Sequence, residues 1–376
     1  MTSTAQRVLI IGGGFSGMSA AIALRRQGVQ VDLVEIDPGW RSYGAGISLG
    51  GATLRAFSQL GILQDFLREG WASDNVAIYT PEGVKVGEIP TPRIAGPAVP
   101  GGGAIMRPVL ARILARATRA AGTDVRLGVT FETIEDLGDE VSVRFTDGQT
   151  RRYDLVIGAD GLYSKVRQTL FPEVQAPKYS GQAVWRAVLP RPPEITTAVM
   201  WVGGDVKPGV NPVSNEEMYL FVTEHRPVND RVDPATFVDH LSGLLKGFRV
   251  PLIQRMCEQI SEGAQIVFRP LEGLLVPRPW HRGRVVLIGD TVHATTPHMA
   301  SGACIGIEDA LVLAEELGRH AETEAGLLAF QARRWERCRM VVENSARLGE
   351  IEMTHGSKEE HGSIMRETHM ALAQPI

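Results

Sequence analysis

The chain has few of the features that mark secreted, zinc-binding or nucleic-acid-binding proteins. Its three cysteines, Cys257, Cys304 and Cys338, are far apart and odd in number, and none has C-x-x-C spacing. No disulfide framework or zinc site follows from them, and a reducing compartment is expected. A net charge of −4 gives no basic footprint for nucleic acid and no attraction to an anionic membrane.

The sequence also lacks long apolar runs. No stretch is long enough to span a bilayer, and the N-terminus has no basic segment followed by a hydrophobic run and a cleavage site. Hydrophobic residues make up 44% of the 376 residues and charged residues 22%, an ordinary globular composition. We therefore expect a cytoplasmic protein of two lobes, with no membrane insertion.

The first 34 residues have the pattern of a β-α-β unit. Arg7 to Ile11 is a short run typical of a strand buried on both faces, and Met18 to Arg26 has helical composition. Val29 to Val34 reads as a second buried strand. The unit is under 30 residues long, which is typical of the start of a parallel α/β sheet.

The predicted secondary structure then changes along the chain. Thr53 to Leu67 has a helical apolar pattern, and Arg107 to Ala121 is a clear helix. From about Tyr179 to Phe268, alternating strands separated by Pro- and Gly-rich loops predict an antiparallel lobe. Val285 to Ile288 returns to the character of a buried parallel strand, and the last 25 or so residues read as a polar tail.

Between the first strand and helix lies Gly12-Gly13-Gly14-Phe15-Ser16-Gly17, which fits G-x-G-x-x-G. Gly12 permits the tight turn, Gly14 lets the backbone approach a pyrophosphate, and Gly17 lets helix and strand pack closely. Glu35 ends the next strand, where a carboxylate can accept a hydrogen bond from a ribose hydroxyl. A Gly-rich turn can also be only a turn, and the unit alone does not distinguish NAD from FAD.

Two later segments resemble motifs of one family. Asp154 to Arg167 contains Asp160-Gly161, and Gly283 to Pro297 contains Gly289-Asp290. Their order and spacing are similar to those of the single-component, FAD-dependent aromatic hydroxylases with the p-hydroxybenzoate hydroxylase fold. The resemblance covers about Arg7 to Leu348. On the residues alone, Asp290 is equally well explained as a helix cap or turn aspartate, and Asp160-Gly161 is better explained as a common turn pair.

The resemblance implies an α/β fold: a Rossmann-type FAD-binding domain with a parallel sheet, an inserted antiparallel β-sheet substrate domain, and C-terminal helices. The FAD-binding domain is expected to be discontinuous, over 1–75, 100–178 and 270–350. The substrate domain is expected over 76–99 and 179–269, and a C-terminal tail over 351–376.

The resemblance also implies which residues contact FAD. Arg107 is expected to reach the ribityl or pyrophosphate, although most arginines are simply solvated. The loop after Pro297 departs from many relatives, which carry Pro-x-x-Gly-Gln-Gly; only Gly302 keeps its place here. The expected cofactor-binding residues are Gly12, Gly14, Phe15, Ser16, Gly17, Glu35, Arg41, Gly46, Ile47, Arg107, Val129, Asp160, Gly289, Asp290, Pro297, Gly302 and Ala303.

Members of this family use NAD(P)H as a transient reductant and react the reduced flavin with O₂. The resulting C4a-hydroperoxide hydroxylates a small aromatic or N-heteroaromatic substrate. The sequence has no second G-x-G-x-x-G in a strand-helix context, which agrees with a nicotinamide that visits and leaves. The expected partners are the aromatic substrate and O₂, in a monomer or homodimer.

Three residues, Tyr219, His225 and His298, are candidates for handling protons. Tyr219, Phe221, Thr223 and His225 share one strand face by period-2 alternation, which offers a base if that face lines the substrate site and surface residues if it does not. His298 lies in the flavin loop. His293 is expected to pack against FAD, and no metal site is expected because the histidines show no carboxylate partner at ligand spacing.

Other functions remain open at this point. The same fold supports epoxidation, decarboxylative hydroxylation or reduction of a double bond. A flavin-binding redox sensor would bind cofactor without turnover, and a plain NAD-dependent dehydrogenase would leave the Asp160 and Asp290 segments unexplained.

Overall fold

The computed structural model describes residues 5–203 and 206–376. Residues 1–4, which begin the expected FAD-binding domain, lie outside that part. The chain divides into two compact units. Unit 1 comprises Met1–Ser42, Ala111–Lys178 and Glu272–Ile376, and unit 2 comprises Tyr43–Leu110 and Tyr179–Leu271.

The described chain contains short runs of strands separated by single or paired helices, and it ends in a run of helices. The strands are β1 (Arg7–Ile11), β2 (Gln30–Glu35), β3 (Gly46–Gly50), β4 (Trp71–Ser73), β5 (Asn75–Tyr79), β6 (Lys85–Pro90), β7 (Gly102–Met106), β8 (Asp124–Leu127), β9 (Phe131–Asp136), β10 (Val141–Phe145), β11 (Thr150–Tyr153), β12 (Leu155–Gly158), β13 (Lys178–Pro190), β14 (Ala198–Trp201), β15 (Lys207–Pro212), β16 (Glu217–His225), β17 (Ile266–Gly273), β18 (His281–Arg282) and β19 (Val285–Leu287). The helices are α1 (Phe15–Arg26), α2 (Gly51–Gln59), α3 (Leu63–Glu69), α4 (Arg107–Ala120), α5 (Lys165–Leu170), α6 (Phe237–Leu245), α7 (Pro251–Ser261), α8 (Asp290–His293), α9 (Gly302–Arg319), α10 (Thr323–Met353) and α11 (Lys358–Ala373), with 3₁₀ turns at Pro234–Thr236 and Pro297–Met299.

Unit 1 is built on a six-stranded sheet of order β18-β19-β12-β1-β2-β8. Its pairs are parallel except β18 with β19, and β1, β12 and β19 are almost completely buried apolar runs. Strands buried on both faces read as continuous hydrophobic segments. The predicted β-α-β start and the parallel strand near residue 285 are therefore confirmed. Strands β9, β10 and β11 form a separate antiparallel sheet.

Unit 2 contains a seven-stranded sheet of order β17-β13-β16-β15-β14-β5-β6 and a small sheet of order β3-β7-β4. The long strands β13, β16 and β15 pair antiparallel, as expected, whereas β14 pairs with β5 in parallel. One face of the larger sheet packs Trp185, Leu220 and Val210 against Leu241 of α6 and Met256 of α7. This core fixes the sheet, and with it the side chains on the opposite face of the sheet.

The prediction of one helix over Thr53 to Leu67 was wrong in one respect. The chain forms two helices, α2 and α3, and Gly61 between them has a φ of 69°. A left-handed residue cannot continue an α-helix, and glycine adopts it without the steric cost of a Cβ. The apolar periodicity continues through the break, because both helices bury their apolar side.

The C-terminal segment, expected to be a polar tail, also differs. It forms α11, which packs on α10. Among the described residues, no helix is long and apolar enough to span a membrane. The Ser357 side chain accepts a hydrogen bond from the Glu360 backbone N–H at 3.1 Å. Ser-x-x-Glu before a helix is a capping signal, and it would have indicated this helix from the sequence.

The end of α11 depends on Arg337 of α10. Its guanidinium donates to the Ala371 and Leu372 carbonyls at 2.8 Å each and pairs with buried Glu308. We expect Arg337→Ala to lower the free energy of unfolding by about 2 kcal/mol, because carbonyls and a buried charge lose a donor. Urea denaturation measures this.

The matched control is Arg339→Ala, which removes a half-exposed arginine of the same helix that pairs with Glu336 and Glu343. It should change stability much less than Arg337→Ala does, because solvent screens ion pairs at the surface. Equal losses in the two variants would contradict the role given to Arg337.

Candidate functional site

In unit 1 the glycine loop has the geometry that its sequence predicts. Gly12 has a φ of 108°, and a Cβ on Gly17 would strike the Gly12 carbonyl oxygen, so α1 starts in backbone contact with the end of β1. A Cβ on Gly14 would meet nothing within 4 Å. No side chain caps α1, and its first turn contains no acid. The helix N-terminus therefore suits an anion.

Glu35 lies beside this loop. Its Oε2 accepts from the Gly13 N–H at 2.7 Å, its Oε1 accepts from the Asp37 N–H at 2.8 Å, and its carbonyl accepts from the Val129 N–H at 3.1 Å. A carboxylate oxygen with one such bond keeps acceptor capacity for a ligand hydroxyl. Arg41 ion-pairs with Asp37, and this holds the pKa of that carboxyl well below its usual range.

The Gly289-Asp290 segment meets the same loop. A Cβ on Gly289, whose φ is 65°, would strike the Ser16 side chain, and so would one on Gly306. Asp290 is the exposed first residue of α8, and only Ile288 and Gly289 separate it from the end of β19. The structure thus brings Ser16, Gly289 and Asp290 to the carboxyl end of the parallel sheet, where open α/β sheets bind ligands.

Asp160 has a structural task. Its carboxylate accepts from the Ser164 hydroxyl and from the Lys165 and Val166 backbone N–H groups, at 2.8 and 3.1 Å for the latter two. It thereby supports Ser164, the N-cap residue of α5, and satisfies two backbone N–H groups of the first turn of that helix. Its expected role toward FAD stays a prediction.

The loop before α9 presents backbone donors. Pro297 opens a 3₁₀ turn, Ala300 has a left-handed φ of 48°, and the Ser301 hydroxyl donates back to the Met299 carbonyl. No side chain caps α9, whose first turn starts at Gly302 and Ala303 and contains no acid. This second helix N-terminus also favours negative charge.

His298 lies in that loop with a buried side chain. Its Nδ1 is 2.9 Å from the Thr296 hydroxyl oxygen, and its Nε2 is 3.4 Å from a carboxylate oxygen of Glu352. The imidazole therefore has an acid within reach, which is a suitable arrangement for holding a proton.

His293 has a carboxylate partner that lies outside the ligand spacing considered in the sequence. It packs on the Trp280 ring, and its Nε2 is 2.5 Å from Oδ2 of Asp309, while its expected packing against FAD stays a prediction. Both side chains are fully buried. Asp309 lies sixteen residues later, on α9, and such a separation carries no local sequence signal.

Asp309 is the centre of a buried charge cluster. It also accepts from the Gly289 N–H at 3.0 Å and from Arg334 Nε at 2.8 Å. Burial lowers the pKa of His293, but the Asp309 carboxylate outweighs burial and raises that pKa well above its usual range. Burial opposes ionisation of Asp309, yet His293 and Arg334 lower its pKa to about 2.

One group of possible metal ligands exists among the described residues, formed by His293, Asp309 and Cys338, whose ligand atoms lie within 4.8 Å of one another. Arg334 contacts both Asp309 and the Cys338 sulfur, the latter at 3.5 Å. A fixed guanidinium already neutralises this carboxylate, so the cluster works as an ion-pair network.

Unit 2 holds the remaining predicted residues. The Tyr219 ring lies against Gly46, where a Cβ would overlap it, and the Tyr219 hydroxyl hydrogen-bonds to Ser48. Asn211 donates to the same serine oxygen at 3.0 Å. Burial raises the pKa of Tyr219, so this hydroxyl stays protonated at neutral pH. Ile47 follows Gly46 in β3, and the Arg107 backbone N–H donates to the Ala45 carbonyl.

The face predicted on β16 is only partly buried. Tyr219 and Thr223 are buried, and the Phe221 and Tyr219 ring centres lie 5.8 Å apart. His225, at the end of the strand, is exposed. Sequence reasoning missed Ser48 and Asn211, because short polar residues on other strands have no periodic link to Tyr219.

Comparisons with known proteins agree with this geometry. The family described as the FAD binding domain matches residues 5–345. The chain is 32% identical to the aurachin C monooxygenase/isomerase of Stigmatella aurantiaca over 93% of this chain and 90% of the relative. It is 30% identical to the 6-hydroxynicotinate 3-monooxygenase of Pseudomonas fluorescens, over 90% of each chain.

A solved structure has the same fold. Klebsiella pneumoniae HpxO, in complex with FAD and uric acid, superposes with a TM-score of 0.83 and is 24% identical. The match covers 98% of this chain and 93% of that one.

The His293–Asp309 pair predicts a pH dependence. Because the folded pKa of His293 is raised, its stabilisation is fully present below the unfolded value of about 6.5 and is lost as pH rises toward the folded value. The difference in unfolding free energy between wild type and His293→Gln should therefore shrink above pH 6.5, by up to about 1.4 kcal/mol per pH unit. Urea denaturation from pH 6 to 9 measures it.

The control is His320→Gln, which removes a partly exposed histidine at the end of α9. An equal slope in that variant, or a constant difference for His293→Gln, would contradict the assignment to the buried pair.

Proposed function

Because the chain belongs to the FAD binding domain family and is an FAD-dependent monooxygenase, we propose that it uses NAD(P)H and O₂ to hydroxylate a small aromatic or N-heteroaromatic compound. The observation that carries the proposal is in unit 1. Two helix N-termini there lack side-chain caps, that of α1, which begins just after β1 of the parallel sheet, and that of α9, which packs on α1. Relatives named for 6-hydroxynicotinate and urate support a heteroaromatic substrate.

The residues present fit FAD. We assign the pyrophosphate to the backbone N–H groups at the start of α1, from Gly14 to Ser16, and a ribose hydroxyl to Glu35. Asp290 is exposed at the start of α8, where its carboxylate can accept from a ribityl hydroxyl. The remaining predicted contacts stay proposals of the same kind: Arg41, Gly46, Ile47, Arg107, Val129, Asp160, Pro297, Gly302 and Ala303.

When bound, FAD supplies the acceptance of electrons from NAD(P)H and the activation of O₂. The chain supplies binding, orientation and control of charge. The start of α9, at Gly302 and Ala303, offers backbone donors to negative charge that develops on the cofactor. An acidic side chain beside those donors would repel that negative charge, and the first turn of α9 contains none.

Proton handling is assigned to three side chains as a proposal. Tyr219 is buried and stays protonated, so it acts as a hydrogen-bond donor to the substrate and not as a base. His298, with Glu352 beside it, is the stronger candidate for accepting a proton. His225 is exposed, which makes it the weakest of the three.

Rapid-mixing absorbance of the purified holoprotein tests the proposal. NADH or NADPH is added anaerobically, alone and with a panel of phenols, benzoates and hydroxypyridines, and bleaching of the flavin is followed. We expect one class of aromatic compound to accelerate flavin reduction and to yield a hydroxylated product once O₂ is admitted. Bound flavin whose reduction no aromatic changes would favour a redox sensor or another flavin reaction on this fold.

Asp290→Ala should weaken FAD retention by about tenfold or more, because the loss of a charged acceptor costs about 1.5–3 kcal/mol. The measurement is the ratio of flavin to protein absorbance after gel filtration at low protein concentration. Asp139→Ala, in the exposed turn between β9 and β10, is the control and should keep its flavin. An Asp290→Ala protein with a full complement of flavin would show that Asp290 is misplaced.

A further inference from the structure

One tryptophan beside the glycine loop of unit 1 has a strained backbone. Trp40, in the loop after β2, has a φ of 46°, in the left-handed region that bulky residues rarely adopt. Its backbone N–H donates to the Asp37 carbonyl at 3.0 Å and closes a tight turn. A residue held in this region costs free energy, and such residues cluster at binding and active sites.

The strained turn aims the indole at the glycine loop. Trp40 Nε1 donates to the Gly13 carbonyl at 2.8 Å, and the central carbon of the Arg119 guanidinium lies 5.2 Å from the ring centre. A hydrogen bond at its edge and a cation over its face fix the ring. The Trp40 side chain is thereby partly buried, although most residues of its loop are exposed.

The position of the indole explains the glycine at residue 13. The motif G-x-G-x-x-G leaves this position open to other residues, and Gly13 has no left-handed φ that would require glycine. A Cβ on Gly13 would lie 2.4 Å from Trp40 Nε1 and 3.1 Å from a Glu35 carboxylate oxygen. The space that a side chain would fill at this position is therefore taken by the indole.

Through Gly13 the indole is connected to the groups assigned to the adenosine diphosphate (ADP) half of FAD. Gly13 donates its N–H to Glu35 Oε2 at 2.7 Å, and its carbonyl accepts from Trp40. Gly14 and the start of α1 follow directly in the chain. A residue held at both its N–H and its carbonyl keeps its neighbours in place before a ligand arrives, and such preorganisation strengthens binding.

We propose that Trp40 is a positioning residue for the ADP half of FAD, which acts by holding Gly13 and Glu35 in their binding geometry. The proposal rests on the proposed function for the placement of the ribose on Glu35 and of the pyrophosphate at the start of α1. It does not depend on the substrate or the reaction, so a binding measurement tests it without turnover.

The affinities of the full-length protein for FAD and for ADP provide the test. FAD dissociation is followed by flavin fluorescence on serial dilution of the holoprotein, and ADP is the probe that displaces FAD. We expect Trp40→Phe, which removes the indole N–H, to weaken both affinities by about 3- to 10-fold. Trp40→Ala also removes the ring and should weaken both by about tenfold or more. Because Trp40 acts on the ADP half, FAD and ADP should lose the same factor.

Trp71→Phe is the matched control. Trp71 has the same two contacts in unit 2, since its indole N–H donates to the Thr196 carbonyl at 2.9 Å and Arg191 lies over its ring at 4.3 Å. This variant should bind FAD and ADP as wild type does. Thermal unfolding shows whether each variant is folded, and Trp40→Phe keeps the test open if Trp40→Ala does not fold.

A double variant separates positioning from a general loss of stability. Gly13→Ala places a methyl group against the indole and should weaken FAD binding by about tenfold or more. In the Trp40→Ala background the methyl group has room. There, Gly13→Ala should weaken FAD binding by less than about threefold further, because the two residues act as one unit.

The proposal is overturned if Trp40→Phe and Trp40→Ala both keep the wild-type affinity for ADP, or if the losses of Gly13→Ala and Trp40→Ala add. A loss for FAD without a loss for ADP would assign Trp40 to the flavin half, and this also overturns it. Failure of the proposed function has a different signature. In that case the FAD-loaded wild type would hydroxylate no aromatic compound, whatever the affinities of the Trp40 variants for ADP.

Discussion

Unit 1 depends on one carboxylate. Asp309 on α9 accepts hydrogen bonds from the Gly289 backbone, from His293 of α8 and from Arg334 of α10. A buried charge with three charged or polar donors is costly to disturb, because each donor would be left without its acceptor. The segment that carries Asp290 is therefore held by this side chain, and Arg334 in turn donates to the Ile305 carbonyl in the first turn of α9. Precise placement of cofactor-facing backbone groups requires such support from residues behind them.

In unit 2 the constraint is steric. Tyr219 can lie against β3 because Gly46 has no Cβ, and Phe221 can lie over β15 because Gly209 has none. The rings are thus fixed by the absence of side chains opposite them. Their polar neighbours, Ser48 and Asn211, come from strands far apart in sequence. The hydroxyl of Tyr219 is consequently oriented by contacts that no local motif encodes.

Much of unit 1 could be predicted from the sequence because its signals are local. A Cβ at Gly17 would meet the Gly12 carbonyl, and both glycines belong to one motif of six consecutive residues. The ion pair of His293 with Asp309 could not be predicted, because its partners lie on α8 and α9, sixteen residues apart, with a loop between the two helices. The break at Gly61 was missed because apolar periodicity continues across it, whereas the capping residues of α11 were readable.

The shared carboxylate has a consequence for local opening. Proteins open in contiguous units, and each unit is bounded by the interactions that must break together. His293 of α8, Arg334 of α10 and the Gly289 backbone N–H all contact the Asp309 carboxylate. If one of these segments opened while the others stayed closed, a buried group would lose its partner. Their backbone amides should exchange with solvent deuterium at a common slow rate. Strand β6 is exposed at every position, and we expect its amides to exchange fast.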